Sequence, residues 1–294
     1  MNNAFANIDF QYKYPFTTNE EVTIQIIHPE TKEVIQTFYP FHYEIELDLN
    51  NFKREVERWI KEITPIYNKE MTLDRIDMDG EIIKGTPKVE IDQSLLLEQL
   101  LQLSFTGGMI ELPLKKRESG YRKEDAPQLN EVILASYTTY FNKNKVGRSK
   151  NIELSATAIH NVIVGSGDIF SFNSVVGPRE IAYGYQMAPE FVRGKVVMGI
   201  GGGICLTSST LFNAVDQLDV EIIERHHHSM DVGYVPKGRD ATVSFGGLDF
   251  RFQNTTGIPF LIKAYYHKSG AITIEIRTSK EYADLYRNEL LITQ

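Results

Sequence analysis

Three consecutive glycines, Gly201, Gly202 and Gly203, run through Ile204 and Cys205 into an amphipathic stretch over residues 206–218. Glycines packed against such a stretch force a tight loop that opens onto a helix start. The first amides of a helix have no acceptor inside it. Those amides and the helix dipole favour negative charge. Cys205, the single cysteine of the chain, stands at that point. A thiol there is expected to ionise more readily than a free one, and the glycines let a carbonyl approach the backbone closely. The other reading of the same residues is a buried helical cysteine, a common fate for a free thiol.

A second dense patch follows at ERHHHS, residues 224–229, which carries three of the seven histidines. Residues 220–223 are strand-like. If the strand persists, alternation sends His226 and His228 to one face with Glu224, and His227 to the other. A thiol nucleophile needs an imidazole within hydrogen-bond reach, and the imidazole needs a carboxylate to orient it. Asp240 and Asp249 are the candidates from the following segments, ahead of Glu224, which is too near His226 in the chain. The candidate catalytic set is therefore Cys205, His226 and His228, with Asp240 or Asp249 as the orienting carboxylate. Cys205, His226 and His228 also make a possible three-ligand zinc set with an open position. This is the weaker reading, because neither a paired CxxC nor an HExxH accompanies it. Acyl transfer by a thiol calls for no cofactor or metal.

The rest of the chain is an alternation of short α and β signals. Residues 22–27 and 34–39 read as a strand pair, and 41–49 as a continuation. The apolar spacing of Phe52, Val56, Trp59, Ile60 and Ile63 predicts a helix that Pro65 ends. A strand pair turning at Asp79-Gly80 follows, then a helix capped by Asp92 or Ser94, then a strand over 109–114. Residues 115–128, KKRESGYRKEDAPQ, read as an exposed linker. Beyond it come a strand over 132–140, a helix over 151–164, and a closing hairpin over 260–277. These patterns predict an α+β protein of two domains: an N-terminal α+β module over 1–120, and a C-terminal α+β domain over 129–280 with a mostly antiparallel sheet. Residues 281–294 form a tail or short helix.

Composition narrows the classes. The chain has 294 residues, of which 42% are hydrophobic and 24% charged, as in ordinary globular proteins. No segment reaches the ~18 apolar residues of a membrane span, and no signal or anchor is visible at the N-terminus. A net charge of -8 disfavours nucleic acid as a partner. One cysteine excludes an intramolecular disulfide.

Five blocks in order, FSFNSVVGPR, GIGGGIC with SSTLFNA, ERHHHS, YVPKGRDATVSFGGLDFRFQN and IPFLI, resemble the VanW domain of bacterial cell-envelope proteins. The preceding element order, with IDQSLLLEQLL, is similar to the peptidoglycan-binding-like module that often comes before that domain. The resemblance implies action at the bacterial cell envelope on peptidoglycan stem peptides. It also implies an L,D-transpeptidase-like cysteine acyl transfer, with a non-catalytic muropeptide-binding module as the alternative. It places Cys205, His226, His228 and Asp240 on the family's motif positions. The chain departs from the pattern at Leu206, where Gln is frequent, and at His227, where Pro is frequent. Gly202, Gly203 and Ser208 are expected at the substrate, with Arg179 and Arg239, and also Arg251, expected to meet stem-peptide carboxylates.

Overall fold

The computed structural model describes residues 22–40, 49–192 and 195–292. The chain forms two compact units. One comprises residues up to 68 together with 90–115, and the other comprises 69–89 and 116–294. Its α+β character agrees with the sequence pattern. The expected strand over 41–49 lies almost wholly outside the described residues.

In the first unit, Ile24–Ile27 pairs antiparallel with Val34–Phe38 and parallel with Gly108–Glu111. Helix α1, Leu49–Tyr67, runs two residues past Pro65. Asn68 continues the ladder by donating its amide to Thr64 O. Helix α2, Gln93–Leu103, starts at Asp92, whose carboxylate accepts the amide of Leu95, so Asp92 and not Ser94 is the cap. Ile24, Ile26, Val56, Ile60, Leu96 and Leu100 make the buried core of this unit.

The second unit is built on a six-stranded antiparallel sheet. Its order is Ile82–Ile83, Arg75–Ile76, Val162–Val164, Phe260–His267, Ala271–Thr278 and Val132–Tyr140. Residues 69–89 thus belong with this sheet rather than with the helices that flank them in sequence. Buried Asp74 holds the segment there by accepting from Lys84 Nζ at 2.7 Å, the Gly85 amide at 2.7 Å and the Tyr121 hydroxyl.

The charged stretch over 115–128 is ordered rather than an exposed linker. It carries the strand Leu114–Arg117 and the 3-10 turn Lys123–Asn130. Ala126 and Leu129 are buried with Ile163 and Leu261. The fully buried carboxylate of Asp168 accepts from the Ser119 hydroxyl, the amides of Gly120 and Gly165, and Arg117. A contact 48 positions away in the chain is invisible to local pattern.

Helix α3, Val146–Ile159, begins and ends about five residues earlier than its apolar spacing suggests, and residues 162–164 are strand. The one-turn helix α4, Phe172–Val176, is capped by Ser171. Helix α5, Ile204–Val215, packs on α3 and on the strands Val132–Tyr140 and Ala271–Thr278. Helix α6, Lys280–Ile292, buries Ala283 and Tyr286. Phe170, Phe172, Phe250, Phe252 and Phe260 fill the core without exposed surface. The rings of Phe170 and Phe252 stack at 5.1 Å. Each such ring contributes roughly 2–3 kcal/mol by burial.

Candidate active site

The glycine loop leaves the hairpin Met187–Val192/Lys195–Ile200 and turns sharply into α5. Gly203, its N-cap, has φ +107°, a conformation costly for any residue with a Cβ. A Cβ at Gly202 would lie 2.4 Å from Ala188 O, so packing alone requires glycine there, and Gly202 also lines a cavity at Cys205. Asn151, fully buried on α3, donates to Gly202 O at 3.0 Å and to Gln186 O at 2.8 Å. One turn on, Ser155 Oγ meets Thr207 Oγ1 at 2.7 Å. The polar face of α3 therefore fixes the loop and the first turn of α5 together.

Cys205 is half-buried in that first turn. Its Sγ lies 3.6 Å from the Thr242 hydroxyl and 3.6 Å from Val243 O. Ile204 gives its amide to Gly201 O, whereas among the described residues no acceptor takes the amides of Gly203 and Cys205. These two, rather than the whole run 203–205, are available to an oxyanion.

The strand Glu221–Glu224 carries a bulge after Ile222 and then ends. A single bridge, His226 with Thr242, continues the pairing. Two residues further along each segment, His228 faces Asp240. The strand's end breaks the expected alternation, so adjacent histidines converge on one carboxylate. Asp240 accepts His227 Nδ1 at 2.9 Å on one oxygen. On the other it accepts both the amide and Nδ1 of His228 at 2.7 Å. Burial opposes ionisation of Asp240, but these bonds outweigh it and hold its pKa at about 2. With Nδ1 on the carboxylate, Nε2 of His228 is left for the thiol, and His228 lines the same cavity as Cys205.

Burial raises the thiol pKa, yet the His228 hydrogen bond and charge, with Val243 and Thr242, bring it below the ordinary value. Burial lowers the His228 pKa, and the bonds to Cys205 and Asp240 raise it above the ordinary value. Each group stabilises the charged form of the other, which is the electrostatics of a thiolate–imidazolium pair.

His226 is not part of this set. Its Nε2 meets Glu224 Oε1 at 2.9 Å, and it lines neither cavity at Cys205. The Cys205–His226–His228 ligand set is therefore not assembled. Among the described residues, no three His, Cys, Asp or Glu side chains converge as metal ligands. Asp249 is used elsewhere, accepting from the Ser171 hydroxyl and the Asn173 amide at the start of α4.

Ser208 is fully buried, its hydroxyl donated to Ala241 O at 2.6 Å, and cannot meet a ligand. Arg239 binds Asn213 and Asp216 at the far end of α5 and stacks on Phe212, which makes it a structural clamp. Arg251 lies in the strand Arg251–Gln253 within charge range of Glu224.

Cys205 stands where two cavities meet. The larger, of about 750 Å³, is lined by His228, Arg148, Lys145, Tyr234 and Leu206 among others. The smaller, of about 360 Å³, is lined by Arg179, Gly201 and Phe245 among others. Gly203, Glu190, Val243 and Ser244 border both. The guanidinium of Arg179 lies over the rings of Phe172 and Phe245, and its terminal nitrogens are covered and lack a partner. Arg148 and Glu190 lie outside the motif blocks, and Tyr234 and Thr242 lie within one without being marked as site residues. Only their placement in the fold reveals them.

A thiol, an imidazole and a carboxylate thus stand in series at the start of a helix. Residues 147–277, which hold all three groups, match the family model described as VanW like protein. Over these residues the chain carries a VanW-like domain. It is 42% identical over 203 residues to the protein YoaR of Bacillus subtilis (strain 168), covering 68% of this chain and 66% of that protein. It is 29% identical over 127 residues to the vancomycin B-type resistance protein VanW of Enterococcus faecalis (strain ATCC 700802 / V583), covering 42% of this chain and 45% of that one. The chain thus spans just under two thirds and under half of these relatives. No solved structure matches it. No helix among the described residues is long and apolar enough to cross a membrane.

Proposed function

We propose that the protein is a cysteine acyl transferase of L,D-transpeptidase type, acting on peptidoglycan stem peptides at the bacterial cell envelope. The observation that carries this reading is that Cys205 and His228 line one cavity of about 750 Å³ while Asp240 holds Nδ1 of His228. The name of the Enterococcus relative, a vancomycin resistance protein, supports the cell wall as the place of action.

The Cys205 thiolate attacks the carbonyl carbon of the bond between an L-centre and the terminal D-residue of a donor tetrapeptide. The amides of Gly203 and Cys205 receive the oxyanion. The C–N bond breaks, and the His228 imidazolium gives its proton to the departing amine. The acyl group is left as a thioester. A side-chain amine of a second stem, or water, attacks it, with neutral His228 taking the proton, and Cys205 is regenerated. Asp240 keeps His228 in one orientation and favours its cationic form.

Mass spectrometry of the protein mixed with tetrapeptide muropeptides tests this. The expected result is an acyl adduct on Cys205, or 3→3 cross-linked dimers, and Cys205→Ala forms neither. Wild-type protein that binds muropeptides yet yields no adduct, dimer or shortened peptide under reducing conditions would make it a binding module instead.

A further inference from the structure

We propose that Arg148 reads the carboxylate of the leaving amino acid, and that this residue occupies the larger of the two cavities at Cys205. The inference rests on the acyl-transfer reading above and gives the cleft a direction.

The direction comes from His228. It lines the larger cavity and not the smaller. The proton donor must stand beside the nitrogen that departs, so the leaving residue lies on that side and the acyl portion on the other. The larger cavity is cationic. Arg148 and Lys145 line it, and Glu190 is its single lining carboxylate among the described residues.

Arg148 is also close enough. A Cβ built on Gly203 would lie 2.7 Å from Arg148 Cγ and 3.2 Å from its Nη1. The guanidinium therefore packs beside the glycine two residues before the nucleophile. One residue of extended chain spans ~3.5 Å, so a carboxylate one residue beyond the scissile carbonyl falls in its neighbourhood. Arg148 sits on α3 one turn before Asn151, which holds Gly202 O, so the same rigid helix positions the cation and the glycine loop. The charges acting on Arg148 are those of Tyr234 and Cys205 rather than a carboxylate. Among the described residues no carboxylate pairs with this partly buried guanidinium, and a substrate carboxylate would supply a bidentate partner. Arg179 is less suited, because its terminal nitrogens are covered and its cavity lacks His228.

The test uses the Cys205→Ser protein, which cannot form a thioester, titrated with a stem tetrapeptide ending in D-alanine, either as the free acid or as the C-terminal amide. Calorimetry is expected to show the acid binding about tenfold or more tighter, the scale of one charge-assisted contact. Adding Arg148→Gln should bring the acid down to the amide's affinity and leave the amide unchanged. Arg148→Lys should keep part of the preference. Equal binding of acid and amide, or no binding of either, overturns the assignment whatever Arg148→Gln does to the fold. A preference that survives in a folded Arg148→Gln protein also overturns it. Adduct formation on wild-type Cys205 is read separately. Failure there with the acid preference intact would remove the catalytic reading and leave the carboxylate site standing.

Discussion

Two buried carboxylates in the second unit make an instructive pair. Asp168 and Asp240 each accept several hydrogen bonds, and each joins segments distant in sequence. They differ in their donors. Asp168 is met by backbone amides, a hydroxyl and a guanidinium, groups that keep their protons at every physiological pH. Asp240 is met by an amide and two imidazoles, and one imidazole reaches on to a thiol. The first arrangement can only hold a loop. The second passes its electrostatic influence to a thiol, a group that titrates. The donor's protonation chemistry, rather than the carboxylate's burial, separates the two.

The comparison can be broken at three points. The largest effect is expected at His228. With His228→Gln, Cys205 loses both the hydrogen bond and the charge that lower its pKa. Alkylation by iodoacetamide at pH 6–7 should then slow by about tenfold or more. An unchanged rate would mean that the imidazole does not sustain the thiolate.

Asp168→Asn is next. Its amide would put N–H groups against the amides of Gly120 and Gly165, at a cost of about 1–3 kcal/mol. Denaturant unfolding should show that loss, while the pH profile of Cys205 alkylation stays as in the wild type. A shifted profile would erase the distinction between the two carboxylates.

The smallest effect concerns acid. The pKa of Asp240 is depressed to about 2, so its stabilisation is full above the unfolded value near 4 and fades as pH falls from about 4 to 2. The stability difference between wild type and Asp240→Asn should therefore shrink by up to about 2 kcal/mol across that window. A difference constant with pH would contradict the depressed pKa.

Much of this arrangement was legible in the residues. Alternation and β-branched composition marked Val132–Tyr140 and the hairpin Phe260–His267/Ala271–Thr278, and both form. The glycine–cysteine run and the triple histidine stood out because a cysteine and clustered histidines are rare in the chain, and Asp240 through its place in the motif block. Three things were not legible. The alternation that grouped His226 with His228 assumed a strand that in fact ends at Glu224. Ser208 and Arg239 lie near motif residues in sequence but point into packing and away from the cavities. Arg148 was hidden because the start of α3 is polar and includes Gly147, so its buried Ser149, Asn151 and Ser155 leave no apolar period to read.

Those buried polar residues have a counterpart on α5. Thr207, Ser208, Ser209, Thr210 and Asn213 have almost no exposed surface. Their side chains are tied to Ser155, Ala241, Thr139 and Arg239, or back to α5's own carbonyls. An oily helix can slide or roll a little at small cost, since one methyl contact replaces another. A helix pegged by hydroxyls on several sides cannot, because each displacement orphans a buried donor or acceptor. Helix α5 is indexed rather than greased, and Cys205 at its head inherits that fixed setting.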